Sequence, residues 1–476
     1  MIIFAGIIKE HNQIAQFRIR IYLCSFFHLR PEKMLLPHNF RPEKMFIRSL
    51  NRPEKMCSLH SNHLIHRRET CTILLNKTTG DMKMNNTELN YEELLKTHRR
   101  SLHMIPELDR DLPETKAYLL SILEKLDCTL TFLCGSGVCA YFDKGQKETY
   151  AFRADMDGLP VQETNTCSYR STHENKMHAC GHDGHMSMVL TLGQYVNTLD
   201  ELKCNVLLIF QPAEETLGGA KDICESGIFK KYNVVRVFGI HMWPFIEPGK
   251  IASRPHALMP RSAEININIH GKAAHGTAPY EGNDALYIGT DYLRRVYAKH
   301  ARIPGAVPRF PEGISDLPHT PADNPEDKTI IHIGKMTSGY ARNIVSDYTH
   351  FLGTIRAFSE ENFSMLLNLL KSTLTEIEDE YKCSTEFSRS EGYPPVINDA
   401  GLYSEILPVL QTLPGGYEEF AEPLVISEDF SFYGHYAPAV FFLLGTGTGI
   451  PLHSVNFDFD EKVLLSGFEL YKRILA

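Results

Sequence analysis

From about residue 88 to the C-terminus the chain alternates between helical and strand-like spacings of apolar positions. Apolar residues at helical spacing predict amphipathic helices from Tyr91 and over 114–126. Short runs at 138–142 and 150–152 predict strands. Val206-Leu207-Leu208-Ile209-Phe210 is apolar at every position, as is much of 234–240. Runs of this kind suit strands buried on both faces of a sheet. Helices are expected between the strands, from Met186 to about Leu199 and from Gly218 onward. Strand–helix–strand alternation implies an α/β fold with a mainly parallel sheet and helices on both faces.

The pattern changes near Ser253. Glu264-Ile265-Asn266-Ile267-Asn268-Ile269-His270 alternates with period two, the mark of a half-exposed antiparallel strand. A helix over 284–299, a Pro-rich loop over 304–325 and strands over 329–336 and 347–358 complete a compact α+β unit inserted into the larger domain. Its exposed strand edge invites pairing with a second copy. A long amphipathic helix over 360–381 leads back to the first domain. A helix over 400–412, a capped short helix at 427–430, a buried strand over 440–444 and a last helix over 461–475 follow. The expected partition is an extension over 1–81, a first domain in two parts (82–252 and 363–476), and the inserted unit over 253–362.

Residues 1–81 differ in kind. Arg-Pro-Glu-Lys-Met occurs three times, starting at Arg30, Arg41 and Arg52, a spacing too short for a repeat with a core of its own. This stretch holds 13 Lys/Arg against 6 Asp/Glu in a chain of net charge −9, so the remainder is strongly acidic. It is expected to be poorly ordered. The acidic balance argues against nucleic acid as a partner. No apolar run reaches the length of a membrane span. Eleven scattered cysteines without CxxC spacing suit a reduced, cytoplasmic chain.

Candidate chemistry concentrates at predicted strand ends. His178-Ala179-Cys180-Gly181-His182-Asp183-Gly184-His185 packs three His, one Cys and one Asp ahead of a helix, and strand ends are where α/β sites form. Asp155 and Asp157 share one face of an extended segment, though Asp-Gly-Leu-Pro also makes an ordinary turn. Glu214 and Glu215 follow the most apolar strand, where adjacent carboxylates are costly unless paired, metal-bound or solvated. His241 ends the next strand beside Trp243, the only tryptophan. His453 precedes the last helix.

Taken in order, these segments resemble the amidohydrolase branch of the M20 metallopeptidase superfamily, which contains hippurate hydrolases, auxin-conjugate hydrolases and N-acetyl-diaminopimelate deacetylases. The resemblance runs from about Arg99 to the C-terminus. It rests on Arg100-Ser101-Leu102-His103 with Pro106-Glu107-Leu108, and on residues 153–160, 177–185, 211–215, 239–243, 271–279, 343–347, 353–356 and 427–430. It implies a site for two divalent metal ions (Mn, Zn, Co or Ni) with Cys180, His182, Glu215, His241 and His453 as ligands, Cys180 bridging as thiolate. It implies Glu214 as general base and Asp157 as the residue orienting a ligand histidine. Asp155, His178 and His185 remain neighbours without assigned roles. The inserted unit becomes a lid and dimerisation domain, making a homodimer. In it His275 stabilises the oxyanion, in many relatives in the partner's site, and Asn343 and Arg356 bind the substrate carboxylate. The implied activity is hydrolysis of N-acyl-amino acids, a small-molecule substrate. The alternatives are a dipeptidase or carboxypeptidase with the same site, and a silent carboxylate-binding protein. The loop over 304–328 is longer than the branch usually carries.

Overall fold

The computed structural model describes residues 90–216, 218–309 and 320–476. The extension with its three repeats, and the middle of the Pro-rich loop, lie outside the described residues. Helices α1 (Tyr91–His103) and α2 (Pro113–Leu123) lead into β1 (Thr129–Leu133), β2 (Gly137–Phe142) and β3 (Thr149–Asp155). Then come α3 (His182–Asn197), β4 (Asn205–Gln211), the short α4 (Gly219–Glu225) and α5 (Ile228–Lys231), β5 (Val234–Trp243), β6 (Ile251–Ser253) and β7 (His256–Met259). The inserted unit holds β8 (Arg261–His270), β9 (Ala274–His275), α6 (Ala285–His300), β10 (Thr329–Ser338), β11 (Ile344–Val345), β12 (Tyr348–Ala357), α7 (Glu360–Tyr381) and β13 (Ser384–Arg389). The chain closes with β14 (Val396–Asn398), α8 (Ala400–Gln411), β15 (Tyr417–Glu419), β16 (Ala439–Gly445) and α9 (Leu464–Leu475).

The large sheet has the order β1-β2-β4-β3-β5-β16-β6-β15. Its centre, β4-β3-β5-β16, is parallel, while β2 joins β4 and β6 joins β16 antiparallel. Strands β3, β4 and β16 are buried at every position; in β4 and β16 the unbroken apolar runs require it, while β3 also buries Arg153 and Asp155. One apolar cluster packs α3 and α9 onto one face through Met188, Leu192, Phe468 and Tyr471. A second fills the other face, around Ile209, Ile223, Phe430 and Phe441. This α/β architecture puts the C-terminal ends of β3, β4 and β5 side by side. Asp155, Gln211 and His241 sit at those ends.

The second sheet, β10-β12-β8-β13, is antiparallel throughout. Ala263, Ile265, Ile267 and Ile269 of β8 point into a third cluster, while Glu264 and His270 point out. Phe363, Leu366, Leu370, Leu374 and Ile377 of α7 belong to that same cluster, and β13 pairs with β8. The helix expected to lead back to the first domain therefore packs on the inserted sheet. This layer takes in residues up to Arg389, past the boundary drawn at 362.

Candidate metal centre

The loop entering α3 carries the densest group of donors. Gly181 caps the helix at φ 92°, a left-handed conformation that favours glycine, and a Cβ there would meet Met242 Cγ at 2.8 Å. Two non-glycine residues also sit at positive φ at this site, Ala213 (60°) before Glu214 and His453 (66°). Such backbone costs ~1–3 kcal/mol each and persists where the surroundings hold it.

Cys180, His182 and Glu215 bring one donor atom each to within 4.8 Å of one another. His182 is fully buried, and its Nδ1–H donates to the Asp157 carbonyl at 2.7 Å. Its Nε2 faces the site 3.8 Å from Glu215 Oε1 and has no hydrogen-bond partner. Glu215 Oε1 likewise lacks a hydrogen bond of good geometry and lies 3.3 Å from His453 Nε2. His241 donates from Nδ1 to the Met242 carbonyl at 2.8 Å, which leaves Nε2 as an acceptor 3.4 Å from Cys180 Sγ. The structure thus gathers all five expected ligands, His453 from the exposed rim, Glu215 from a partly buried position and the rest from buried ones. A buried imidazole nitrogen and a buried carboxylate oxygen with nothing to bind fit a metal ion.

The electrostatics agree with that fit. Burial opposes charge on His182, but Asp155, Asp157 and Glu215 outweigh it and hold its pKa up at about 10. The group thus favours positive charge at the position of Nε2. Burial, reinforced by Glu215 and Glu214, pushes the Cys180 thiol well above its usual range, so thiolate there requires a cation. Burial also raises Glu215, yet His453, His182 and Cys180 hold it below the ordinary carboxylate range.

Asp157 accepts the backbone N–H of Glu214 and of Glu215, each at 3.1 Å. One carboxylate and its own carbonyl thereby fix both glutamates and His182. Glu214 turns toward Glu428 and Asp429, with carboxylate oxygens of the three within 4.8 Å of one another. Burial and those acidic neighbours raise its pKa well above the usual value. Tyr393 donates its hydroxyl to the Glu214 carbonyl at 2.6 Å.

The roles left open by the sequence divide clearly. His185 has both ring nitrogens engaged: Nδ1–H donates to Asp155 Oδ1 at 2.6 Å, and Nε2 accepts the Met242 N–H at 2.8 Å. It braces the end of β5, which carries His241, and has no nitrogen left to ligate. Asp155 also accepts from Arg153 Nη1 at 2.8 Å. His178 is buried with neither nitrogen hydrogen-bonded, and burial lowers its pKa to about 3. Sequence reasoning assigned nothing to Arg153, which is fully buried and donates to Gln211 at 2.9 Å and to Asp429 at 2.7 Å, with Glu428 3.0 Å away. The available signal was an arginine in an otherwise apolar strand, since a buried guanidinium needs several acceptors.

The residues of the inserted unit do not converge within one chain. His275 is exposed, its Nδ1 bonded to the Thr277 hydroxyl at 2.7 Å. Asn343 accepts the Gly276 N–H at 2.8 Å, so the two share one tip of the unit. Arg356 sits at the far end of β12, eight residues beyond Tyr348, or ~27 Å at strand spacing. It donates to the Ser427 hydroxyl at 2.9 Å, and no carboxylate pairs with it among the described residues. It lines a cleft of about 500 Å³ that also touches Thr216 and Tyr393, beside the Glu214–Glu215 loop.

The sequence profile described as peptidase family M20/M25/M40 matches residues 151–476. The chain belongs to this family. It is accordingly an M20 metal-dependent hydrolase. An uncharacterized hydrolase of Staphylococcus epidermidis is 33% identical over 399 residues, spanning 81% of this chain and 98% of that protein. A solved Staphylococcus aureus structure is 27% identical with a TM-score of 0.72, over 80% of this chain and 95% of that one. The Bacillus subtilis YXEP protein, described as a dinuclear metal binding peptidase from the M20 family, is 24% identical with a TM-score of 0.68, over 81% and 97%. Among the described residues of this M20 hydrolase, no helix is long and apolar enough to cross a membrane.

Proposed function

We propose that this M20 hydrolase cleaves the amide bond of N-acyl-amino acids, releasing a carboxylic acid and a free amino acid. The observation that carries the reading is the trio of buried Cys180 and His182 with partly buried Glu215, two of whose donor atoms lack hydrogen bonds, with Glu214 beside it. Cys180, His182, Glu215, His241 and His453 would hold two divalent ions, drawn from Mn, Zn, Co or Ni. When bound, such a pair polarises the amide carbonyl and acidifies a shared water. Glu214 takes the proton of the attacking water and delivers it to the leaving nitrogen. Its raised affinity for a proton suits the carrying step. Asp157 keeps Glu214, Glu215 and His182 in register through its three hydrogen bonds. Arg356, half-buried and without a carboxylate partner, receives the substrate's free carboxylate.

His275 and Asn343 act on this reading from the partner of a homodimer. Their separation from Arg356 within one chain supports this, because a single small substrate cannot reach both ends of the sheet. The same unit exposes several large apolar side chains: Tyr280 (84% exposed), Tyr340 (75%), Tyr287 (62%), Leu286, and Ile344, which pairs with His275. Exposed apolar side chains of this size suit an interface. The eight described cysteines are all free thiols, which supports a cytoplasmic setting.

The test is turnover of N-acetyl- and N-benzoyl-amino acids against aminoacyl-amino acids with each of the four metals supplied. Preference for the acylated set is expected. Preference for substrates with a free α-amine would assign a dipeptidase instead, and no turnover at all would revive the silent binding protein.

A further inference from the structure

We propose that the cleft beside Arg356 selects an amino acid with a positively charged side chain, and that Glu264 holds that charge. This rests on the N-acyl-amino acid reading and narrows its substrate class. Four charged residues line the cleft. Lys221 and Glu391 neutralise each other, Nζ to Oε1 at 2.6 Å. One cation and one anion are left for a ligand. Arg356 spends one N–H on the neutral Ser427 hydroxyl. Glu264 is exposed to the cleft, and no side-chain hydrogen bond or ion pair engages its carboxylate among the described residues.

The register of the inserted sheet fixes how the two charges stand. Arg356 lies opposite Ser262, and Thr354 lies opposite Glu264. Arg356 and Glu264 are therefore diagonal neighbours on one face, ~7–8 Å apart at the backbone. They flank the cavity without forming an ion pair across it. The complementary ligand carries a carboxylate and a cation at a similar separation. The α-carboxylate and side-chain ammonium of ornithine or lysine span on the order of 6–8 Å when extended. A carboxylate in place of that ammonium meets Glu264 with like charge and is disfavoured. A neutral side chain gains nothing from Glu264.

The experiment measures kcat/KM of the metal-supplied full chain for Nα-acetyl-lysine, Nα-acetyl-ornithine, N-acetyl-norleucine and N-acetyl-glutamate. The basic substrates should exceed norleucine by about two- to fivefold, with glutamate lowest. Glu264→Gln should bring the lysine-to-norleucine ratio down toward one, and Glu264→Lys should move the preference toward glutamate. An unchanged ratio in both variants overturns the inference, as does glutamate being the best substrate of the wild type. Equal turnover of all four overturns it while the N-acyl-amino acid reading stands. Turnover of none of them, with any metal supplied, overturns both.

Discussion

At the residue scale, the site separates the proposed ligands from the groups that hold them. His185 is near the metal donors, yet its hydrogen bonds to Asp155 and to the Met242 N–H make it a brace. His185→Gln should weaken metal affinity by about 10–100-fold while leaving two ions bound at saturation. His241→Ala should lose one ion at any concentration that spares the other. Metal titration of the two variants side by side distinguishes brace from ligand, and identical stoichiometry would contradict the assignment. That Cys180, His182, Glu215, His241 and His453 come together was legible only through ordered motifs, since donors scattered from 180 to 453 have no diagnostic spacing. Arg153 was not legible: its acceptors Gln211 and Asp429 lie 58 and 276 residues away, and only the fold brings them to it.

At the element scale, the loop entering α3 depends on Gly181. Its left-handed φ and the 2.8 Å approach of Met242 leave no room for a Cβ. Gly181→Ala should cost about 1–3 kcal/mol, read as a lowered denaturant midpoint with an unchanged slope. The long strands were legible because burial on both faces leaves an unbroken apolar run, as in β4, and half-burial leaves alternation, as in β8. Short strands were not. β6, β14 and β15 have three residues each, too few for any period, and exist through their pairing partners. β13 reads Ser-Thr-Glu-Phe-Ser-Arg, a polar string that becomes a strand because β8 offers it an edge. The destination of α7 was missed for a related reason: its apolar face marks it as packed, and nothing local says against which layer.

At the scale of the whole molecule, a polar network ties the ends of the first domain to the ligand loop. Arg99 and His103 of α1 both contact Asp183, next to His182, and Arg99 also reaches Asp458. Burial opposes charge on His103, but Asp183 and Glu163 outweigh it and raise its pKa from 6.5 to about 9. A raised folded-state pKa contributes stability that is full below about 6.5 and fades as pH climbs through about 9. The melting temperature should therefore drop between pH 7 and pH 9.5, and His103→Gln should flatten that drop. An unaltered pH profile in the variant would contradict the network's role. Assembly has its own test: mixing Glu214→Gln chains with His275→Ala chains should restore turnover that neither has alone, because a mixed dimer holds one site with both residues intact. The central claim is that a metal pair and Glu214 together perform the hydrolysis. It is tested most directly by measuring metal content and N-acyl-amino acid turnover in Glu214→Gln beside the wild type. Two divalent ions per chain in both proteins, with turnover in the variant reduced by about 10²–10⁴-fold, is the expected result. Near-normal turnover in the variant, or a wild-type chain that hydrolyses its substrate without bound metal, would contradict it.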